Sequence, residues 1–122
     1  MQRQFRLRRS ADFDKLRTNG QTWRHPFLMI AVMPNGLAHN RYGFITSKRL
    51  GSAVVRNRTR RRLREIVRLS AGSLKTGYDI SFIARNEILD QPYGKVKAAL
   101  ESLFKRANLW QSSDQVEKGT EP

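Results

Sequence analysis

Apolar residues recur along this chain first at helical spacing and then at the spacing of strands. The first segment predicts a short helix over residues 10–18, with Ser10 as its N-cap and Gly20 just beyond its end. Strand-like patterns follow at residues 27–33, 41–47 and 79–85, and a shorter one lies near residues 22–23. The first half of the chain therefore predicts one helix followed by two or three strands.

Two longer helices complete the predicted set. One begins after Gly51, with Ser52 as its N-cap, and runs to about Leu69. The other covers residues 93–108. Its apolar stripe consists of Val96, Ala99, Leu100, Leu103, Phe104 and Ala107. This order of elements predicts an α+β sandwich of one sheet against helices, formed by a single domain over residues 1–110. Residues 111–122 lack apolar periodicity and are predicted to be a disordered tail.

Composition limits the class of protein. The 122 residues are 39% hydrophobic, which is enough for a modest core. The chain has no cysteine, so disulfides and thiolate metal sites are excluded. The longest apolar run has seven residues, from Phe27 to Met33, whereas a membrane-spanning helix needs about 20. We therefore expect a soluble, cytoplasmic protein with no membrane partner.

The charge is concentrated in one half of the chain. The formal net charge is +14, and residues 1–69 hold 17 basic and three acidic residues. Residues 70–122 hold seven of each and are neutral overall. Such one-sided charge favours a nucleic-acid partner, because binding phosphates releases condensed counterions. A basic surface kept for solubility is the alternative, but such surfaces usually mix both signs.

The predicted helix after Gly51 contains the densest basic cluster. Its apolar side consists of Val55, Thr59, Leu63, Ile66 and Val67. A row of arginines at i, i+4 spacing consists of Arg56, Arg60, Arg64 and Arg68, flanked by Asn57 and Arg61, with Arg58 and Arg62 further round. Like charges at this spacing destabilise an isolated helix, whereas guanidinium groups suit bidentate phosphate contacts. We interpret the row as a phosphate-binding ridge, which Lys48 and Arg49 extend upstream.

Asn57 lies inside this cluster and has two interpretations. Its amide can donate and accept hydrogen bonds, so it could bind a phosphate, a 2′-hydroxyl or a hydrated cation. It could equally be an exposed helix residue without a role, and spacing alone favours neither.

Catalytic constellations are missing from the sequence. His25 and His39 stand alone beside turn signals, where surface-loop positions are expected, and the acidic residues form no metal-binding cluster. No Gly-rich phosphate loop is present. The sequence thus predicts a binding protein with no catalytic residue and no metal site of its own.

One extended stretch resembles a known family. Residues 43–51 read GFITSKRLG and residues 52–65 read SAVVRNRTRRRLRE. This combination resembles the protein subunit of bacterial ribonuclease P, whose mark is an Arg-Asn-Arg motif in a basic helix. Residues 5–13 and 78–85 fit the same family, so the likeness spans residues 5–108. It implies an α-β-β-β-α-β-α sandwich, with one mostly antiparallel sheet packed on helices and a left-handed βαβ crossover.

The resemblance also implies a function. Such proteins join a catalytic RNA that removes the 5′ leader of precursor tRNA with Mg²⁺; the RNA performs the chemistry, and no obligate protein partner is expected. The implied partners are the catalytic RNA and precursor tRNA. The expected RNA-binding residues are Lys48, Arg49, Arg56, Asn57, Arg58, Arg60, Arg61, Arg64 and Arg68.

A cleft for the single-stranded leader is the second implied site. Phe13 would supply a stacking face, and Leu28, Ile30 and Ile45 the floor. The chain departs from the family at two positions, where Arg17 and Ile30 replace aromatic residues found in relatives. Arg17 could stack through its guanidinium. From the sequence alone, packing of Phe13 in the core is the favoured alternative.

Two rival functions follow from the same charge pattern. A structural RNA-binding protein of ribosomal type, without a role in tRNA processing, accounts for the charge but not for the motif run. An autonomous endonuclease requires catalytic residues that the sequence does not offer.

Overall fold

A computed structural model describes residues 2–111 of the chain as a layered assembly of helices and one sheet. The elements are α1 (Ser10–Asn19), β1 (Gln21–Arg24), β2 (Leu28–Pro34), β3 (Arg41–Ile45), α2 (Ala53–Ser70), β4 (Tyr78–Ala84) and α3 (Tyr93–Arg106). This order confirms the predicted α-β-β-β-α-β-α succession. The tail predicted over residues 111–122 lies, apart from Gln111, outside the described residues.

The four strands form one mixed sheet in the order β1-β2-β4-β3. The pairs β1–β2 and β2–β4 are antiparallel, whereas β3 and β4 are parallel and are joined through α2. A mostly antiparallel sheet is therefore confirmed, together with a βαβ unit. The left hand of that crossover, which the resemblance implies, stays a prediction.

One face of the sheet is closed by α2 and α3. The alternating positions Leu28, Ile30 and Val32 of β2 point to this face and are almost completely buried. The other buried members of this core include Ile80, Phe82, Leu63, Ile66, Val67, Leu100, Leu103 and Phe104. The predicted apolar stripe of α3 is confirmed, with Ala107 only partly buried. Most of the burial that stabilises the fold therefore lies on this face.

The opposite face is covered only in part, by α1. Leu16 is 1% exposed and packs with Leu7 and Ala31 in a second, smaller cluster, with Phe13 at its border. Phe13 lies close against β3 because position 43 is glycine, and a Cβ there would overlap the Phe13 ring. An open strip of sheet remains beside α1.

The helix starts show one correct and one wrong prediction. Ser52 caps α2, and its Oγ accepts a hydrogen bond from the Val55 N–H at 3.3 Å. Ser10 does not cap α1; Arg9 occupies the N-cap position, and Ser10 is the first helical residue. The reason is that the Arg9 carbonyl already accepts a hydrogen bond from the Phe13 N–H, which starts the helix one residue earlier.

Candidate nucleic-acid interface

Three arginines of α2 donate hydrogen bonds to other groups of the protein, on the same helix or outside it. Arg60 donates to the Thr46 hydroxyl at 2.6 Å and to the Asn57 side-chain carbonyl. Arg62 donates to the Gln91 carbonyl at 2.7 Å. Arg68 forms two hydrogen bonds to the Glu65 carboxylate, at 2.7 and 3.1 Å. These contacts fix the direction of each guanidinium and restrict its freedom to follow a ligand.

Arg64 lies against an aromatic ring and close to other arginines. Its guanidinium stands over the Phe44 ring, 5.6 Å from the centroid. Burial, followed by repulsion from Arg6, Arg60 and Arg61, lowers the pKa of Arg64. An anion placed here would relieve that repulsion, because opposite charge favours the protonated guanidinium.

Two buried nitrogen atoms add to this picture. The Nε atoms of Arg56 and Arg64 are buried and have no hydrogen-bond partner among residues 2–111. A buried donor without an acceptor is unfavourable and is uncommon in folded proteins. Phosphate oxygens are suitable acceptors for guanidinium donors. Within the described part of the chain, the row of arginines therefore contains buried donor atoms that have no acceptor.

The remaining basic residues of the region point to solvent. Arg58 and Arg61 are exposed on α2, and Lys48 and Arg49 are exposed in the short turn Lys48–Leu50 before it. Asn57 is also exposed, and its carbonyl orients Arg60. The structure therefore gives Asn57 a positioning contact, while its contact with RNA stays a prediction.

A second group of arginines lies beside β3 and was missed as a site by the sequence reasoning. The N-terminal segment runs along this edge strand, with a bridge between Arg6 and Tyr42 and a 2.8 Å hydrogen bond from the Leu7 N–H to the Tyr42 carbonyl. A shallow pocket of about 310 Å³ results. Its lining includes Arg3, Arg6, Arg8 and Arg9, together with Asp12 and with Arg41, which is ion-paired with Asp79 at 2.7 Å. The sequence signal was the set of four arginines within residues 3–9, with the apolar Leu7 between two of them.

The predicted cleft between α1 and the sheet is present. Its volume is about 200 Å³, and Phe13, Arg17 and Ile45 line it as expected. Arg17 is largely exposed and pairs with Asp14 at 3.1 Å. Phe13 is half-buried, so one part of the ring packs on Gly43 while another faces the cleft. The structure combines the two interpretations of Phe13, since the ring both packs and borders an open site.

Leu28 and Ile30 do not belong to the cleft, and their assignment to its floor is wrong. Both are fully buried in the core on the opposite face of the sheet. Because side chains alternate along a strand, their neighbours Met29 and Ala31 face the cleft instead, together with Ile83 of β4. The absence of an aromatic residue at Ile30 therefore has no bearing on the cleft.

The two histidines have structural contacts. His25 Nδ1 accepts from the Phe27 N–H at 3.1 Å, and His39 Nε2 lies 3.2 Å from the Gln4 carbonyl. Both are half-buried in connecting segments, so the prediction of simple surface positions is only partly correct. Among residues 2–111 there is no group of three or more metal-ligating side chains that could hold an ion. In the same residues, the helices are too short or too polar to cross a membrane.

The β3 edge connects these features. Ile45 lines the cleft, Phe44 supports Arg64, and Tyr42 pairs with the arginine-rich N-terminal segment. An arginine row, a second basic edge and an open apolar cleft on one small α+β fold are typical of proteins that bind single-stranded nucleic acid.

Comparisons with known proteins narrow this class to one family. The Ribonuclease P family model matches residues 1–108. The chain is 37% identical to the ribonuclease P protein component of Caldanaerobacter subterraneus, over 89% of this chain and 94% of that protein. It is 42% identical to the corresponding protein of a Roseiflexus species, over 93% and 94%.

Solved structures agree with the sequence matches. The fold is similar to the RNase P protein of Staphylococcus aureus, with a TM-score of 0.81 and 28% identity over 88% of this chain and 98% of that one. It is also similar to the RNase P protein of Thermotoga maritima, with a TM-score of 0.78 and 28% identity over 83% and 96%. The chain belongs to the bacterial ribonuclease P protein family.

Proposed function

We propose that this chain is the non-catalytic protein subunit of a ribonuclease P holoenzyme. It binds the catalytic RNA and the 5′ leader of precursor tRNA, and it promotes removal of the leader by the RNA. The observation that supports this most is the incomplete arginine row of α2, in which the Nε atoms of Arg56 and Arg64 lack acceptors among the described residues.

The α2 row is suited to neutralising the phosphates of a folded RNA. Arg58 and Arg61 are exposed and can form bidentate contacts with phosphate oxygens. Arg60 donates a hydrogen bond to the Thr46 hydroxyl, and Arg64 lies over the Phe44 ring. These contacts orient both guanidinium groups. Each phosphate contact releases counterions, which makes binding strongly dependent on salt.

The cleft beside α1 is suited to an unpaired strand. A base of the leader can stack on the accessible part of Phe13, over an apolar floor formed by Met29, Ala31 and Ile45. The exposed guanidinium of Arg17 lies at the rim, where it can reach a phosphate or a base. Stacking tolerates any sequence, since every base has a flat apolar face.

The chemistry is assigned to the RNA and to the Mg²⁺ ions that the RNA holds. The protein's contribution is binding. Its contacts with the leader raise the affinity of the holoenzyme for substrate. Its cations neutralise phosphates of the catalytic RNA, so the RNA needs a lower concentration of Mg²⁺ to fold and to bind the precursor tRNA. In this role the protein positions the substrate on the RNA and takes no part in breaking the phosphodiester bond.

Cleavage of precursor tRNA at low Mg²⁺ concentration tests the proposal. Three reactions are compared: protein alone, catalytic RNA alone, and both together. We expect cleavage that is much faster with both than with RNA alone, and none with protein alone. Cleavage by the protein alone would establish an autonomous endonuclease, and no effect of the protein in any mixture would favour the ribosomal-type alternative.

A further inference from the structure

A second apolar pocket, unconnected with the leader cleft, opens at the C-terminal end of α2. It has a volume of about 460 Å³, which is within the range of ligand-binding pockets and larger than the cleft. Four separate segments meet here: the N-terminal segment, the stretch before β3, the end of α2 and the stretch before β4. Its lining includes Phe5, His39, Tyr42, Arg68, Ala71 and Thr76.

The walls of this pocket are aromatic and are held in place by internal contacts. The Phe5 and His39 rings meet edge to face with their centroids 5.2 Å apart. The contact between His39 Nε2 and the Gln4 carbonyl, at 3.2 Å, ties the same two segments together. A ligand would therefore meet rings that are already ordered, which reduces the entropic cost of binding.

The side-chain amide of Asn40, on the floor of the pocket, already has hydrogen-bond partners. The Asn40 amide donates to the Tyr42 hydroxyl at 3.1 Å and to the Lys75 carbonyl at 2.8 Å, and its oxygen accepts from the Tyr78 N–H at 2.8 Å. Tyr42 itself is only 6% exposed. Because the Asn40 side chain already has partners for its donors and its acceptor, and the rest of the lining is largely apolar, the pocket suits a flat, largely apolar group.

The charge around the pocket indicates what that group is attached to. Arg68 is the last member of the row that begins at Arg56, and its side chain, although paired with the Glu65 carboxylate, is still more than half exposed. Arg6 directly follows Phe5 and is close enough to Arg64 to affect its pKa. An apolar slot at the end of a cationic track is the arrangement that binds a base while the backbone follows the charges.

We propose that this pocket binds one unpaired nucleobase of the catalytic RNA, whose neighbouring phosphates lie against Arg68 and the arginines beside Phe5. This inference rests on the proposed function. The catalytic RNA is the expected source because the pocket is lined by Tyr42, which belongs to the α2 side of the sheet, whereas the leader cleft is lined by Ile45 on the α1 side.

The first test measures the affinity of the full-length protein for the catalytic RNA over a range of salt concentrations. Phe5→Ala is expected to weaken binding roughly 5- to 150-fold, the range for loss of one stacked base. The slope of log affinity against log salt should stay unchanged, since no phosphate contact is lost. A parallel loss of slope, or no change in affinity, would overturn the inference.

A second variant separates the pocket from the packing of Phe5. Ala71 is exposed at the rim, so Ala71→Trp fills the pocket without removing a core contact or a charge. The matched control is Ala98→Trp, the same change at an exposed position of α3. We expect Ala71→Trp to weaken RNA binding to a similar degree as Phe5→Ala, and Ala98→Trp to bind like the wild type. Equal binding by both tryptophan variants would contradict the proposal.

Ultraviolet crosslinking of the assembled holoenzyme with precursor tRNA identifies the occupant directly. A nucleotide of the catalytic RNA attached to the peptide that contains Phe5 or Tyr42 is the expected product. Attachment of a leader nucleotide there, or crosslinks confined to α2 and Phe13, would overturn the assignment. If the wild-type protein neither binds the RNA nor accelerates cleavage, the proposed function itself fails; if it does both while the pocket variants match it, only this inference fails.

Discussion

The two faces of the sheet are built from similar apolar residues but differ in how completely they are covered. On β2, Leu28 and Ile30 are fully buried against α2 and α3, while Met29, one position away, borders an open cleft. The closed face supplies the core that keeps the domain folded. The open face is covered only by the short helix α1, which leaves apolar surface available for a ligand.

The arginines of α2 also fall into two groups, which differ in their exposure and in their contacts with the protein. On α2, Arg60 and Arg62 are half-buried and donate hydrogen bonds to the Thr46 hydroxyl and the Gln91 carbonyl, whereas Arg58 and Arg61 are exposed. This surface combines guanidinium groups held by protein contacts with exposed ones. The comparison of closed with open face, and of held with free arginine, gives four predictions.

The largest effect is expected from neighbouring substitutions on β2. Ile30→Ala removes a fully buried side chain and should lower the free energy of unfolding by about 2–5 kcal/mol. Met29→Ala, on the open face, should lower it by about 1 kcal/mol. Urea denaturation at one fixed salt concentration measures both. Equal losses would show that the two faces are not different in their contribution to stability.

Gly43 and Phe13 form a second test, because the ring lies where a Cβ would be. Gly43→Ala forces the ring away from β3 and should cost about 1–3 kcal/mol of stability. In the Phe13→Ala background the overlap is absent, so the same glycine substitution should cost much less. A double-mutant cycle by denaturation measures this coupling. Additive effects would contradict the close packing.

The exposed and held arginines should differ in salt dependence. Arg58→Ala and Arg61→Ala are each expected to reduce the slope of log affinity against log salt by roughly 0.7–0.9, the value for one lost phosphate contact. Arg62→Ala is the matched control on the same helix, since its guanidinium donates to the Gln91 carbonyl. Filter-binding titrations with the catalytic RNA give the slopes. An unchanged slope for Arg58 and Arg61 would remove them from the interface.

The smallest effect concerns His25, at the edge of the closed face. Burial, and then repulsion from Arg106, lowers the pKa of His25 below its ordinary value of 6.5. The folded state favours the neutral imidazole. The contribution of His25 to the free energy of unfolding is therefore fully present above pH 6.5 and is lost as the pH falls through the lowered pKa. Arg106→Gln should raise the pKa of His25, which NMR titration of the ring measures. A pKa that stays in place would leave burial as the sole cause.

The sequence predicted the elements well because their signals are local. The predicted apolar side of α2 is buried at Thr59 and Leu63 but only half-buried at Val55, and Ser52 correctly gave the start of the helix. The direction of each side chain in β2 was not predictable, because residues 28–33 are all apolar and alternation then gives no preferred face. The family resemblance placed Leu28 and Ile30 in the cleft, and the pattern of the run offered nothing to correct that placement.

Contacts between distant segments were also beyond the sequence. The i, i+4 row correctly grouped Arg56, Arg60, Arg64 and Arg68, but nothing in the spacing indicates that Arg60 reaches Thr46. Likewise, the pairing of Arg6 with Tyr42 joins positions 36 residues apart and creates a basic edge that charge counting could not locate. The residue types alone predicted a phosphate-binding surface, whereas the positions of these residues relative to one another came only from the folded structure.

The most direct test of the account measures the affinity of the assembled holoenzyme for tRNA with and without a 5′ leader. The wild type and Phe13→Ala are compared with both RNAs. If the open face binds the leader, Phe13→Ala should weaken binding of the leader-bearing precursor by roughly 5- to 150-fold. It should leave the affinity for mature tRNA unchanged. Equal loss for both RNAs, or no loss for either, would contradict the claim that the open face of the sheet is the leader site.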